Sequence, residues 1–140
     1  MSSYIPAQIR KHVLERDRGL CAYCRSSEKL MGITFELDHI VPEAAEGTAT
    51  IDNLCLSCPN CNRYKGAKQT ALDPISKSEV LLFHPLNQIW IEHFSWNYDK
   101  TELIGLTPTG RATIQALRIN RPRIVQLRYY WVTLDLHPPD

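Results

Sequence analysis

The pattern of apolar and polar positions predicts an α+β chain whose first half runs helix, strand, strand, helix. Apolar residues at four-residue spacing predict a first helix over Pro6–Arg18, which Gly19 can end. Ile33–His39 is rich in β-prone residues in rough alternation with polar ones, so it predicts a strand. Ile51–Leu56 predicts a short returning strand, and Asn60–Gly66 predicts a helix that ends at its glycine.

The second half of the pattern predicts a β-hairpin followed by two helices. Lys68–Ser78 is polar with an Asp-Pro turn signal, so it predicts a connector. Gln88–Trp96 has the composition of a strand, and Asn97–Lys100 has that of a hairpin turn leading into a partner strand at Glu102–Leu106. Two amphipathic helices are predicted after it, Arg111–Ile119 and Pro122–Leu134.

Length and composition are those of one soluble globular domain. The chain has 140 residues, of which 44% are apolar and 22% charged. We therefore expect a single domain over residues 1–140, with a core motif at about 6–68 and a C-terminal hairpin and helices at about 80–135. No apolar run is long enough to span a membrane, and the N-terminus lacks the features of a signal peptide, so we expect a cytoplasmic protein.

Charge is distributed unevenly, although the net charge is only +1. Between Leu103 and Leu134 there is no acidic residue, but there are five arginines: Arg111, Arg118, Arg121, Arg123 and Arg128. Arginines without counter-charges can form a surface that binds phosphates. A solvated helical face explains the same charges equally well.

The cysteines predict a zinc site. Cys21/Cys24 and Cys58/Cys61 form two Cys-x-x-Cys pairs, and four thiolates are a typical structural zinc set. The pairs stand further apart than the roughly 15 to 20 residues of a simple ribbon-type site, which is expected if zinc closes the ends of an inserted hairpin. Cys55 also has the spacing of a pair with Cys58, but we expect it to be a small buried strand residue.

The residues with catalytic chemistry lie between the two cysteine pairs and just after them. The oxygens of Asp38 and Asn62 suit a hard divalent cation, and His39 is a candidate general base. This set indicates a metal-dependent phosphodiesterase. An imidazole can take a proton from water near neutral pH, and one cation can stabilise the charge on the leaving oxygen.

Together these residues resemble the HNH endonuclease family, whose site is called the ββα-metal motif. The matching segments are Cys21–Cys24, Glu36–Pro42, Asp52–Leu54 and Cys58–Lys65. The resemblance implies that His39 activates water, that Asp38 and Asn62 hold Mg²⁺ or Mn²⁺, and that Asn53 keeps His39 in place. It also implies a structural zinc on the four paired cysteines. An asparagine stands at position 62 instead of the last histidine of the family's name.

The resemblance further implies a substrate and a fold. We expect endonucleolytic cleavage of DNA, with RNA not excluded, by a monomer or homodimer. The expected fold is a zinc-stapled ββα-metal module followed by a β-hairpin and two C-terminal helices. Lys65 and Arg63, close to Asn62, are candidate phosphate contacts together with Arg111, Arg118, Arg121 and Arg123.

Other interpretations of the same residues stay open. Asn53 is also a typical turn residue, and Lys65 and Arg63 are also typical solvated charges. Glu36 could assist the metal, but we expect it to form a structural pair with a base such as Lys65 or Arg63. A non-catalytic zinc-ribbon-like module that binds nucleic acid is the main alternative function, but it would need none of Asp38, His39 and Asn62. A redox role for the cysteine pairs is disfavoured by the metal motif that they flank.

Overall fold

The computed structural model describes residues 4–140, which divide into two compact units. The first comprises the described residues up to Gln69 together with His84–Asn87, and the second comprises Thr70–Phe83 and Gln88–Asp140. The expectation of a single domain over the whole chain stays a prediction.

No helix within residues 4–140 has both the length and the apolar character that crossing a membrane requires. The first three residues, part of the segment in which no signal peptide is predicted, lie outside the described residues.

The first unit is built on a two-stranded antiparallel hairpin. Its elements are α1 (Ala7–Arg16), α2 (Glu28–Met31), β1 (Glu36–His39), a 3₁₀ turn (Glu43–Ala45), β2 (Leu54–Ser57) and α3 (Pro59–Lys65). The register of the hairpin pairs Glu36 with Ser57 and His39 with Leu54. Every residue of β2 is buried, so this strand is the centre of the unit.

The end of α1 is joined to β2 by side chains. Arg16 donates from its guanidinium to the carbonyl oxygens of Ile51 and Leu54, and Asp17 Oδ2 accepts from the Leu56 amide at 2.8 Å. Arg16 and Asp17 also pair with each other at 2.9 Å. These charged residues of α1 therefore hold the helix on the hairpin.

The first cysteine pair is also joined to β2. The Ala22 amide, in the middle of the pair, donates to the Leu56 carbonyl at 2.8 Å. The Cys21 amide donates to the Ser26 carbonyl at 2.9 Å, which closes the turn. The segment of Cys21 and Cys24 thus extends the edge of the hairpin.

The second unit contains two small hairpins and three helices. Its elements are β3 (Thr70–Leu72), β4 (Glu79–Leu81), α4 (Trp90–His93), β5 (Phe94–Trp96), β6 (Leu103–Gly105), α5 (Pro108–Ala116) and α6 (Pro122–Thr133). β3 pairs with β4, and β5 pairs with β6, both antiparallel. Thr107 caps α5 by accepting from the Gly110 amide at 3.0 Å.

The interior of the second unit is aromatic and contains one buried cation. Trp90 packs against Phe94 with ring centroids 5.2 Å apart, and Trp131 is buried as well. The Arg128 guanidinium, which is fully buried, lies 5.2 Å from the centre of a Trp96 ring and donates to the Thr101 carbonyl. Trp90, Phe94 and Trp131 are therefore core residues of this unit.

The structure confirms the predicted α+β class with its ββα module, its later hairpin and its two C-terminal helices. Two local predictions are wrong. Gln88–Trp96 is not one strand, because Trp90 turns into the core within the short helix α4 and only β5 is extended. The predicted connector Lys68–Ser78 contains β3, a three-residue strand.

Candidate active site

The end of β1 brings a histidine to a pocket in the first unit. Leu37, Asp38, His39 and Asn62 line this pocket, whose volume is about 510 Å³. The predicted base and both predicted cation ligands therefore meet at one pocket.

His39 has a buried ring nitrogen without a hydrogen bond to any described residue. Its Nε2 lies 3.8 Å from Glu43 Oε1, which is too long for a hydrogen bond. A buried nitrogen without a partner carries a desolvation cost, and such atoms are found where a group binds water or takes part in chemistry. This arrangement fits a residue that receives a proton from a bound water.

Asn53 fixes the loop that follows His39. Its Oδ1 accepts from the Val41 amide, and its Nδ2 donates to the carbonyl oxygens of Val41 and Thr48, each at 2.9 Å. Its own carbonyl accepts from the Ile40 amide at 2.9 Å. Asn53 therefore forms hydrogen bonds with the main chain of Ile40 and Val41, the two residues after His39, and not with the imidazole of His39.

Gly47 closes the same loop by close approach of the backbone. A Cβ at this position would lie 1.6 Å from the Val41 carbonyl oxygen and 2.8 Å from Asn53 Nδ2. No side chain fits there without moving the loop.

Asp38 is buried in a small polar network. Its Oδ2 accepts from the Tyr23 hydroxyl at 2.6 Å, and Lys65 Nζ lies 3.2 Å from each carboxylate oxygen. The Cys55 sulfur lies 3.8 Å from Oδ2. Burial raises the pKa of Asp38 above its usual value, although Lys65 and Tyr23 pull it down. Burial also raises the pKa of Tyr23, so its hydroxyl stays a donor.

Lys65 has a different environment from the one expected. Its side chain is 2% exposed, and Nζ donates to the carbonyls of His39 and Ile40 at 3.0 and 3.1 Å as well as to Asp38. An ammonium in this position does not reach a phosphate in solution. It instead holds the end of β1 against α3.

Asn62 is oriented by Glu36. The Asn62 amide nitrogen donates to Glu36 Oε1 at 2.7 Å, which leaves the amide oxygen for another partner. Glu36 was expected to pair with Lys65 or Arg63, but its partner is Asn62. Since an amide oxygen and a carboxylate are hard ligands, Asn62 and Asp38 fit Mg²⁺ or Mn²⁺ better than a softer metal.

The predicted zinc ligands form one cluster. The sulfurs of Cys21, Cys24, Cys58 and Cys61 all lie within 4.8 Å of one another. The sulfurs of Cys24 and Cys58 are 3.8 Å apart. Four thiolates about 2.3 Å from a tetrahedral zinc ion are separated by about 3.8 Å, so this donor set fits zinc.

Two details support this choice of zinc ligands. Hydrogen bonds from Cys21, Cys58 and Cys61 hold the pKa of Cys24 well below its usual value, which agrees with a cluster of thiols that binds a cation. Cys55 lies outside the cluster in the network of Asp38. It is a buried strand residue, as expected.

The predicted phosphate-binding arginines have different environments. Arg111 forms a two-point pair with Asp73, at 2.9 Å for each bond, so its charge is already compensated. Arg118 and Arg123 are exposed, and Arg121 lies between them at the start of α6. Arg63 is exposed on α3. Arg128, counted with the uncompensated arginines, belongs to the core instead.

Arg10 is a pocket residue that the sequence did not single out. It lies on α1, lines the pocket with His39 and Asn62, and donates to the Phe35 carbonyl at 2.6 Å. Its arrival at the pocket depends on the packing of α1 beside the hairpin, which no local pattern indicates.

Three histidines outside the pocket, His84, His93 and His137, have structural partners. His84 Nδ1 accepts from the Asn87 amide at 3.1 Å, and His93 Nδ1 is 2.6 Å from Thr107 Oγ1. His137 packs edge-on against Trp96 with centroids 4.5 Å apart. His93 is thus a hydrogen-bonded structural residue.

Part of the chain, including the candidate site, is similar to known proteins. Residues 21–68 match the family model described as HNH endonuclease. The chain is also 39% identical over 83 residues to the CRISPR-associated endonuclease Cas9 of Corynebacterium diphtheriae. That alignment covers 51% of this chain but only 7% of the relative, so the chain spans a small part of that protein.

Proposed function

We propose, from the premise that residues 21–68 form a domain of the HNH endonuclease family, that this chain is a metal-dependent endonuclease that cuts DNA. The observation that carries the proposal is the meeting of His39, Asp38 and Asn62 at one pocket, beside a cysteine cluster with zinc geometry. A non-catalytic zinc module needs only the cysteines.

His39 is the general base in the proposed reaction. Water attacks phosphorus, its proton passes to Nε2 of His39, and the bond from phosphorus to the 3′ oxygen breaks. The leaving 3′ oxygen takes a proton from solvent, which gives a 3′ hydroxyl and a 5′ phosphate. The unpartnered Nε2 supports this role. Asn53 and Gly47 hold the following loop, so the imidazole keeps its place while the reaction proceeds.

Asp38 and Asn62 would hold Mg²⁺ or Mn²⁺, which supplies charge stabilisation at the phosphate. Glu36 orients the amide of Asn62, and Tyr23 and Lys65 hold the carboxylate of Asp38. A structural zinc on Cys21, Cys24, Cys58 and Cys61 would join the two ends of the segment that contains the hairpin.

The proposed DNA contacts come from cations other than Lys65. Arg10 lines the pocket and is placed to meet the phosphate next to the scissile bond. Arg63 is exposed on the helix of Asn62. In the second unit, the proposed contacts are Arg118 and Arg123, which are exposed, and Arg121, which lies between them in the sequence.

The test is conversion of supercoiled plasmid by purified zinc-loaded protein with Mg²⁺, with Mn²⁺ and with a chelator. One active site cuts one strand, so a monomer should give nicked circles before linear DNA. His39→Ala should lower the rate by about 10²–10⁴-fold, the usual contribution of a positioned base. His12→Ala, an exposed histidine on α1, is the matched control and should cut normally.

The proposal fails if the wild-type protein binds plasmid without cutting it under any of these metals. It also fails if His39→Ala cuts as fast as His12→Ala. Parallel assays with single-stranded RNA decide whether RNA is a substrate too.

A further inference from the structure

Tyr23 lies inside the first cysteine pair, between Cys21 and Cys24. It is fully buried, and its hydroxyl donates to Asp38 Oδ2 at 2.6 Å. One residue therefore sits within the candidate zinc site and contacts a candidate ligand of the catalytic cation.

The position of this hydroxyl is set from both sides. The cysteine pair holds the main chain of Tyr23, and the neighbouring Ala22 amide donates to the Leu56 carbonyl of β2. Asp38 lies on β1, opposite Cys55 of β2. The hydrogen bond from Tyr23 thus connects the cysteine cluster with the strand that carries Asp38.

The carboxylate retains room for a cation after these contacts. A carboxylate has about four acceptor positions. Tyr23 and the weak Cys55 contact use Oδ2, and Lys65 lies equally close to both oxygens. A position on Oδ1 is left for a cation. Because the Tyr23 hydroxyl holds Oδ2, it fixes the orientation of the carboxylate and hence the direction in which Oδ1 points.

Tyr23 and Lys65 act on Asp38 in different ways. The Lys65 ammonium carries a full positive charge 3.2 Å from the carboxylate, so it competes electrostatically with a divalent cation. The Tyr23 hydroxyl is neutral and orients the carboxylate without opposing the cation. Orientation of Asp38 is therefore best assigned to Tyr23.

We propose that Tyr23 is a positioning residue, which holds Asp38 for the catalytic cation and joins that site to the zinc centre. This inference rests on the proposed function. It assigns to the cysteine pair a second role besides closing the fold.

The test uses Tyr23→Phe, which keeps the ring and removes only the hydroxyl. Partners that orient metal ligands typically contribute 10–100-fold to metal affinity, so the calorimetric Kd for Mn²⁺ should rise by about that factor. Zinc content and the far-ultraviolet circular dichroism spectrum should match wild type. Tyr98→Phe, which removes the hydroxyl of a fully exposed tyrosine in the second unit, is the matched control and should bind Mn²⁺ as wild type does.

Nicking assays separate positioning from general damage. In Tyr23→Phe the Mn²⁺ concentration for half-maximal nicking should rise, while the rate at saturating Mn²⁺ stays near wild type. An unchanged Kd for Mn²⁺ would overturn the inference. Loss of zinc from Tyr23→Phe would overturn it too, because the hydroxyl would then serve the zinc site alone.

Failure of the proposed function gives a different result. Wild-type protein would then neither bind Mn²⁺ in the pocket nor nick DNA, whatever residue stands at position 23.

Discussion

Replacing Asn53 by alanine tests whether this residue fixes the loop after His39. The change removes the two bonds to Val41 and the bond to the Thr48 carbonyl, each 2.9 Å long. A net contribution of about 0.5–1.5 kcal/mol per hydrogen bond gives a total loss of about 1.5–4.5 kcal/mol. That loss is a large fraction of the 5–15 kcal/mol that stabilises a typical domain.

Hydrogen exchange measured on peptides covering residues 40–53 is the suitable assay. The three tryptophans all lie in the second unit, so their fluorescence would not follow this loop. In Asn53→Ala the Val41 amide should exchange much faster than in wild type, and nicking should slow. Calorimetric Mn²⁺ affinity should change little, since Asn53 has no contact with Asp38 or Asn62 among its hydrogen bonds.

Asn53→Asp provides a matched comparison of the same shape. It keeps an acceptor for the Val41 amide but places an oxygen against two carbonyl oxygens where Nδ2 had donated. We expect it to be at least as unstable as Asn53→Ala. The reasoning is refuted if either variant keeps wild-type exchange at Val41 and wild-type nicking.

Other expectations concern zinc, phosphate and acid. Cys61→Ser should lose zinc and unfold the first unit, whereas Cys55→Ser should retain one zinc per chain by elemental analysis. The logarithm of the DNA-binding constant falls linearly with the logarithm of salt concentration, with a slope of about 0.9 per phosphate contact. Arg10→Gln should therefore reduce this slope by about 0.9, whereas the same change at the exposed Lys11 should not. The guanidinium partner of Asp73 holds the pKa of that carboxyl well below its usual value. The ionised carboxylate of Asp73 therefore stabilises the fold fully above about pH 4, and this stabilisation is lost as the pH falls further. The melting temperature of Asp73→Asn, followed by tryptophan fluorescence, should therefore fall less at acid pH than that of wild type.

The parts of the fold that could be predicted depend on local patterns. The spacing within the two cysteine pairs predicts a shared metal site, and the cysteine cluster in the structure has the four predicted members. The alternating segment before His39 and the glycine after α3 indicate strand and helix within a few residues. Cys55 and Cys58 have the spacing of a pair too, but Cys58 leads directly into α3, which favours Cys58 and Cys61 as the second pair of zinc ligands.

The parts that could not be predicted depend on packing between distant segments. Lys65 looks like a solvated helical charge, but Asp38 and two carbonyls surround it only once α3 packs on β1. Arg128 is buried for a similar reason, because carbonyl oxygens at Thr101 and Ile119 accept from its guanidinium. Arg10 reaches the pocket through the placement of α1. The local sequence around each of these residues does not indicate which distant residues it will contact in the folded protein.

Because Cys55 is buried, its thiol can serve as a chemical probe for local opening of the hairpin. Its sulfur is fully enclosed in β2, so a thiol reagent can reach it only when the strand separates locally. In zinc-loaded protein the other four thiols would be bound to metal, which leaves Cys55 as the reporter. Its labelling rate therefore measures the free energy of local opening, and the change in that rate on adding Mn²⁺ measures how far the bound cation keeps the two strands together.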